Sequence, residues 1–324
     1  MKIIKNLLLV ILLALMFNPV IAEENVLNIG LLKWGSVNWE MDIIKHNELD
    51  KKNNIVIKKK FFSSKNAASI ALQGKAVDMI VTDWIWVSRQ KAENKKYVFY
   101  PHSMSVGGIL VKHDSNITDI KSLENKKLGI AGSSIDKSWL LFRAYTNKKL
   151  GKDPIEFLKP NYAAPPLLNE LIVRNEIDAV LNYWHYNARL KSKGYREIIT
   201  VENILKDLGI ESKIPAYGWV FSEDFGKKNK SLINSFLNAS NEAKKIMLSS
   251  DNEWERIFPL TNARDRTTLI HLRDAYRNGI PLTFGNKEIE ETKKVFKILA
   301  KYGGRNLVGK SNEISPGIFW SKNQ

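Results

Sequence analysis

The sequence predicts an α/β protein of two similar lobes, joined by two crossing strands and followed by a helical C-terminal extension. Three observations lead to this fold class. Short apolar strands alternate with amphipathic helices, which is typical of mostly parallel sheets covered on both faces. A strand–helix unit recurs at an offset of 100 residues, and beyond residue 222 only helical spacing remains.

The elements of the first unit follow from hydrophobic periodicity. Ser36 is a candidate N-cap for the first helix, and Gly74 is a candidate stop for the second. The predicted strands are residues 27–32, 55–62 and 77–82, and the predicted helices are residues 37–49 and 66–73.

The second unit and the tail are interpreted in the same way. The second unit has predicted strands at 127–131 and 178–182 and predicted helices at 137–150 and 166–175. The tail has predicted helices at 231–248, 251–258, 266–276 and 288–302.

The internal repeat is the most informative pattern. Residues 77–84 (VDMIVTDW) align without a gap with residues 177–184 (IDAVLNYW). Trp39 and Trp139 share the same offset, each inside a predicted first helix, where we expect core packing. Such a duplication predicts two lobes related by pseudo-symmetry.

Two apolar runs with an early glycine, residues 106–111 and 216–221, are interpreted as the strands that cross between the lobes. Glycine there supplies unusual backbone angles or a close approach. The predicted organisation is a signal peptide at 1–22, one lobe at 23–107 and 219–324 including the helical tail, and a second lobe at 108–218.

The first residues predict export. Lys2 and Lys5 precede an apolar run too short to span a bilayer, and Val20-Ile21-Ala22 gives a small-residue cleavage signal. We expect cleavage after Ala22 and a periplasmic location. The chain has no cysteine, which excludes disulfides, cysteine zinc sites, a cysteine nucleophile and lipid attachment through an N-terminal cysteine.

The formal net charge of +16 raises the question of an anionic partner. The lysines are scattered and no aromatic-interleaved basic stripe is present, so we expect a solvated surface and no nucleic acid. Attraction to an anionic ligand or membrane surface stays open.

Catalytic motifs are missing from the sequence. No Gly-x-Ser-x-Gly elbow, P-loop or His-Glu-x-x-His occurs, and the five histidines show no metal-ligand spacing. We therefore expect a protein that is not an enzyme, with no cofactor and no metal.

Ligands of open α/β sheets bind beyond the carboxyl ends of the strands. Aromatic and polar residues are concentrated at these positions, where rings can stack on a flat ligand or cage a cation. The carboxylates could pair with an amine, and a helix opened by Gly132-Ser133-Ser134 could hold an anion. The candidate ligand-binding residues are Trp34, Asp83, Trp84, Ser133, Ser134, Asp136, Tyr183, Trp184 and Tyr217.

Each candidate has a structural alternative. Trp34, Trp84 and Trp184 can equally seal a lobe, and the serine pair can be only a helix cap. Asp78 and Asp178, at the starts of their strands, are better explained as turn caps.

The sequence also resembles a known family, the substrate-binding proteins of the nitrate, sulfonate, taurine and thiamine-precursor ABC importers. The resemblance covers nearly the whole mature chain and rests on residues 27–32, 71–78, 122–130, 164–166 and 177–180. A narrower subgroup is similar at residues 82–90 (TDWIWVSRQ), 136–141 and 182–186.

The resemblance implies a type II periplasmic-binding fold, with a ligand cleft between two α/β lobes and the helical tail packed on the first lobe. It also implies a monomeric receptor whose partners are a small organic ligand and an importer's permease and ATPase. Thiamine-precursor synthases share the fold but use a cysteine-rich motif, which this chain lacks.

Two other functions remain open at this level: an exported ligand sensor or chemoreceptor partner on the same fold, and an exported enzyme. Two ligand classes also remain open. A sulfonate or other organic anion fits the serine helix start, whereas a flat pyrimidine-like or amine ligand fits the tryptophans and aspartates.

Overall fold

The computed structural model describes residues 25–322, and the predicted signal peptide, residues 1–22, lies outside this range. The first part of the chain alternates strand and helix, as its apolar periodicity predicts. Its strands are β1 (Val26–Leu32), β2 (Val56–Phe62), β3 (Met79–Thr82) and β4 (Tyr97–Ser103), and its helices are α1 (Val37–His46), α2 (Leu49–Lys52), α3 (Lys65–Gln73) and α4 (Trp84–Ala92).

The middle of the chain repeats this alternation. Two 3₁₀ turns, Lys121–Leu123 and Pro154–Glu156, lie in its connections. Its strands are β5 (Gly108–Val111), β6 (Lys127–Ala131), β7 (Lys159–Ala163), β8 (Ala179–Asn182) and β9 (Arg196–Thr200), and its helices are α5 (Lys137–Leu150), α6 (Pro165–Val173), α7 (Trp184–Lys191) and α8 (Val201–Asp207).

The last part holds one strand, β10 (Tyr217–Ser222), and then helices. These are α9 (Glu223–Lys228), α10 (Lys230–Ser249), α11 (Asp251–Arg256), α12 (Phe258–Thr261), α13 (Arg266–Asn278) and α14 (Asn286–Val308). Helix α14 is broken at Gly304, whose φ of 56° does not occur in a right-handed helix, close to the predicted end at residue 302. Across residues 25–322, none of the helices has the length and apolarity that crossing a bilayer requires.

Two five-stranded sheets form the two lobes. Lobe 1 has the strand order β2-β1-β3-β10-β4 and lobe 2 has the order β7-β6-β8-β5-β9. In each sheet the first three strands are parallel, and the fourth, β10 or β5, runs antiparallel to its neighbours. The predicted fold of two similar α/β lobes with a helical C-terminal region is therefore confirmed.

The repeat is visible in equivalent hydrogen bonds. Asp78 Oδ2 accepts from the backbone N–H of Asn28 at 2.8 Å, and Asp178 Oδ2 accepts from that of Lys127 at 2.7 Å. Each carboxylate thus ties the start of one strand to its parallel neighbour, which is a structural role, as expected.

The crossing segments differ from the prediction. β5 and β10 are strands, but each pairs on both sides within one sheet. The chain crosses between Ser103 and Gly108 and returns between α8 and β10. Glycine is required at the first crossing by a close approach to protein backbone: a Cβ on Gly107 would lie 1.8 Å from the carbonyl oxygen of Asn182.

The tail contacts both lobes, so the expectation that it packs on the first lobe is incomplete. Helix α10 packs on α1 of lobe 1, whereas α14 contacts α4 of lobe 1 and α5 of lobe 2. Phe296 of α14 lies against Trp84, with ring centroids 6.1 Å apart, and Arg143 of α5 donates to the carbonyl oxygen of Tyr302 at 3.4 Å. Helix α14 therefore joins the hydrophobic cores of the two lobes.

Candidate ligand-binding cleft

A cavity of about 340 Å³ lies between the two lobes. Strand ends and the helix starts that follow them supply most of its wall, as expected for open α/β sheets. The wall includes residues 34–37 of lobe 1, residues 136–138 and 183–186 of lobe 2, and residues 105–107 and 214–217 of the crossing segments.

Most of the predicted site residues meet in this cavity. Asp83 is not part of the wall, but it is bonded to Lys137, which lines the cavity. Ser133 and Ser134 are exposed and lie outside the wall. The predicted residues that line the cavity are Trp34, Trp84, Asp136, Tyr183, Trp184 and Tyr217.

The prediction that Gly132-Ser133-Ser134 opens a helix is wrong. Helix α5 begins at Lys137 and its N-cap is Asp136, whose Oδ1 accepts from the N–H groups of Ser138 and Trp139 at 2.9 and 3.3 Å. A carboxylate occupies the N-terminus of this helix, so that end does not offer its N–H groups to an anion.

Asp83 joins the two lobes. Its Oδ1 accepts from the N–H of Trp86 at 3.0 Å and caps α4, while its Oδ2 accepts from Lys137 Nζ at 2.9 Å. Burial raises the pKa of Asp83, but the ammonium groups of Lys137 and Lys65 lower it by more, so its pKa lies below the ordinary value. Asp83 is therefore an anion at neutral pH.

Two ammonium groups converge on one phenol ring. Lys65 Nζ donates to Tyr217 Oη at 2.8 Å and lies 4.4 Å from the ring centroid, and Lys137 Nζ lies 5.1 Å from the same centroid. Burial raises the pKa of Tyr217, but Lys137 and Lys65 lower it by more. Each ammonium has three N–H groups, of which the described residues accept one from each lysine, so both lysines keep donors for a ligand.

Asp136 is also engaged. Besides capping α5, it accepts from Tyr183 Oη at 3.3 Å through Oδ2. Burial raises the pKa of Asp136, and burial and the neighbouring Asp136 raise the pKa of Tyr183. Both cleft carboxylates, Asp83 and Asp136, are thus helix caps with further partners.

The two cavity tryptophans at the ends of β3 and β8 also pack the lobes. Trp84 is 2% exposed, and its Nε1 donates to the carbonyl oxygen of Pro215 at 2.7 Å. Trp184 makes edge contacts with Trp39 and Tyr276, at centroid distances of 6.1 and 6.2 Å. Trp39 and Trp139 are core residues, as expected.

Trp34 differs from them because it is 78% exposed at the mouth of the cavity. Its ring contacts Lys33, whose Nζ lies 5.2 Å from the ring centroid. Among the three cleft tryptophans, Trp34 is the one whose removal leaves the cores of both lobes intact.

A buried polar cluster lies beneath the cavity. Tyr276 and His102 line the cavity and approach the fully buried Glu40: Tyr276 Oη donates to Glu40 Oε2 at 3.3 Å, and His102 Nδ1 lies 3.4 Å from the same oxygen. Lys244 Nζ pairs with that oxygen at 3.3 Å. Burial lowers the pKa of His102 well below its usual range, and Lys244 lowers it further, so His102 is neutral.

Sequence reasoning missed Lys65, Lys137, His102 and Tyr276 as cavity residues, and it left His185 open between a surface helix residue and a ligand contact. The two lysines are the first residues of α3 and α5, so the strand-end argument would have included them had it extended to the next helix start. His102 and Tyr276 lie far apart in sequence, and nothing in the sequence links them.

The chain matches the family model described as NMT1/THI5 like over residues 62–253, more than half of its length. No curated protein matches the sequence significantly. Solved structures match the fold at low sequence identity, and three of them are described below.

The alkanesulfonate-binding protein SsuA from Xanthomonas axonopodis pv. citri bound to MOPS is 14% identical with a TM-score of 0.67, covering 92% of this chain and 99% of that one. The periplasmic aliphatic sulphonate binding protein SsuA from Escherichia coli is 17% identical with a TM-score of 0.68, covering 89% and 97%.

The periplasmic nitrate-binding protein NrtA from Synechocystis PCC 6803 is 10% identical with a TM-score of 0.59, covering 87% of this chain and 82% of that one. The fold thus serves proteins whose names state different anions. This chain belongs to the NMT1/THI5-like family and has the two-lobed fold of the periplasmic binding proteins.

Proposed function

We propose that this protein is an exported, monomeric solute-binding receptor that captures a small organic anion between its lobes and delivers it to an ABC importer. The observation that carries the proposal is the pair of ammonium groups, Lys65 and Lys137, that converge on Tyr217 at the cavity wall. Residues 23–107 and 219–324 would move as one lobe, and residues 108–218 as the other.

The ligand class follows from which polar groups are still available. An amine would have to share a carboxylate that is already engaged, because both oxygens of Asp83 and of Asp136 accept hydrogen bonds: the two residues cap helices and hold Lys137 and Tyr183. The lysines, by contrast, keep N–H donors that a sulfonate or carboxylate can accept. Of the two ligand classes that the sequence leaves open, the structure favours the anion.

The body of the ligand is expected to be apolar and flat. Trp84, Tyr183, Trp184 and Tyr276 contribute ring surface to a cavity of about 340 Å³, a size typical of small-molecule sites. Ring stacking in such a site adds roughly 1 kcal/mol beyond simple area burial. A small aromatic anion fits both the rings and the lysines.

A binding role rather than a catalytic one is supported by the state of the titratable groups. Both carboxylates are committed to structural bonds, and burial together with the charges of Arg189 and Lys65 lowers the pKa of His185 to about 4. These groups can hold and orient a ligand. Export and the importer as partner are supported by the signal-peptide pattern and the family resemblance.

Native mass spectrometry of protein purified from its own periplasm tests this function. We expect a co-purified organic anion that leaves the protein on mild unfolding, in one-to-one ratio. Recovery of a bound amine, or of a covalently altered product of an added anion, would contradict the proposal. The control is the same protein unfolded, dialysed and refolded, which should carry no ligand.

A further inference from the structure

A second cavity, of about 550 Å³, adjoins the cleft. Its wall is built by the turn after β1, the start of α6, helix α7 and the segment from α12 to α13. The residues common to the walls of both cavities are Trp34, Gly35, Ser36, His185 and Tyr186. A ligand longer than the first cavity would reach the second at these shared residues.

The second cavity is basic. Lys33, Arg189, Lys193 and Arg264 line it, against one carboxylate, Glu170. Arg189 is structural: it donates to the carbonyl oxygens of Thr261 and Asn262 at 2.8 and 2.9 Å and links lobe 2 to the tail.

The other three cations are free of ion pairs. Within residues 25–322, no carboxylate lies within 4.0 Å of the charged nitrogens of Lys33, Lys193 or Arg264. Unneutralised cations in a concave site attract an anionic group more strongly than the same cations on a convex surface.

His185 stands at the boundary between the two cavities. Its Nδ1 is buried and has no hydrogen-bond partner among the described residues. An unpaired buried ring nitrogen is costly unless a ligand or water satisfies it. A ligand that passes from one cavity into the other would lie against this imidazole.

We propose that the ligand is an elongated, two-headed organic anion that occupies both cavities. This inference rests on the proposed function. One acidic group binds Lys65, Lys137 and Tyr217, the apolar body passes Trp184 and His185, and a second acidic group binds Lys33, Lys193 and Arg264. Disulfonates, dicarboxylates and sulfonocarboxylates of this shape are the chemical class expected.

The test compares biphenyl monosulfonate with biphenyl disulfonate, which share one body and differ by one charge. Calorimetric titration of the wild-type protein should show the dianion binding about tenfold tighter, the factor that two or three contacts to exposed charges supply together. The double variant Lys193→Gln/Arg264→Gln should lose this preference. Lys58→Gln, an exposed lysine of β2 outside both cavities, is the matched control and should keep it.

The outcomes separate the two proposals. Equal affinity of the wild-type protein for the two probes would overturn the two-headed ligand and leave anion capture standing. A double variant that binds both probes more weakly but keeps the preference would show general attraction of anions instead of a subsite, and would also overturn it. If neither probe binds the wild-type protein, anion capture itself fails, and the two-headed ligand with it.

Discussion

Lys137 Nζ of lobe 2 lies 2.9 Å from Asp83 Oδ2 of lobe 1, so an ion pair closes the cleft from side to side. The two residues are the first residue of one helix and the N-cap of another. The pair therefore links two rigid helix starts, and a rotation that opens the lobes has to break it.

Asp83→Asn should open the unliganded protein. Asparagine also caps helices, so α4 stays capped while the ion pair is lost. The loss of a charged hydrogen bond of this kind costs about 1–3 kcal/mol, and we expect a larger radius of gyration in small-angle scattering without ligand.

Asp136→Asn is the matched control for this variant, because Asp136 also caps a helix but bonds to Tyr183 within lobe 2. It should leave the radius of gyration unchanged. If the two variants scatter alike, the Asp83–Lys137 pair does not hold the lobes together.

The contribution of this pair to stability should depend on pH in one direction. The pKa of Asp83 in the folded protein lies below its unfolded value, although burial opposes this, because Lys137 and Lys65 stabilise the carboxylate. The contribution is then fully present above the unfolded pKa, about 3.9, and is lost as the pH falls through the folded pKa.

Unfolding of the wild-type protein and Asp83→Asn at several pH values checks this dependence. The stability difference should be largest near pH 7 and should shrink toward pH 3. A difference that stays constant over this range would show that the carboxylate charge is not what stabilises the fold.

The three cleft tryptophans should separate into two classes. Trp84→Ala removes a buried ring and should lower the free energy of unfolding by about 3–5 kcal/mol, with weaker ligand binding as a secondary effect. Trp34→Ala removes an exposed ring and should change stability by less than about 0.5 kcal/mol.

Trp34→Ala is therefore the cleaner probe of ligand contact, and thermal unfolding beside calorimetry measures both effects. Trp84→Phe, which keeps an aromatic ring in the core, is the control for packing. Normal stability of Trp84→Ala would contradict the assignment of this ring to the core.

Substitutions in the buried Glu40 cluster should lower the free energy of unfolding strongly. Glu40→Gln leaves the ammonium of Lys244 buried without its counter-ion, which should cost about 3–5 kcal/mol in denaturant unfolding. The double variant Glu40→Gln/Lys244→Met removes both charges and should recover much of that loss. Equal stability of the single and double variants would show that the charge of Lys244 is screened in another way.

The duplicated fold could be predicted because both copies carry the same local signals. Asp78 and Asp178 start equivalent strands, and the aligned runs at 77–84 and 177–184 form the same part of each sheet. The helices of the tail could be predicted from the sequence, but their packing against both lobes could not. The contact of α14 with α5 depends on side chains far apart in the sequence.

The site could be predicted only where it follows strand ends. This rule found Trp84, Asp136, Tyr183 and Trp184, but it also included Ser133 and Ser134. It takes every polar residue between a strand end and the next helix, whereas only Asp136 among residues 132–136 lines the cavity. The roles of the aspartates could not be predicted, because an N-cap and a free carboxylate look alike in sequence. The choice between an amine and an anion as ligand depends on whether these aspartates are N-caps or free carboxylates.

Calorimetric titration of benzenesulfonate into the wild-type protein and Lys65→Gln tests whether the paired lysines bind the anion. Lys65 is the better lysine to change, because it bonds only to Tyr217 among the described residues, whereas Lys137 also holds the lobes together. We expect saturable one-to-one binding to the wild-type protein. The variant should bind about tenfold more weakly, because it loses one charged contact worth about 1.4 kcal/mol of binding free energy. Equal affinity in the two proteins, or binding of benzylamine in place of benzenesulfonate, would contradict this expectation.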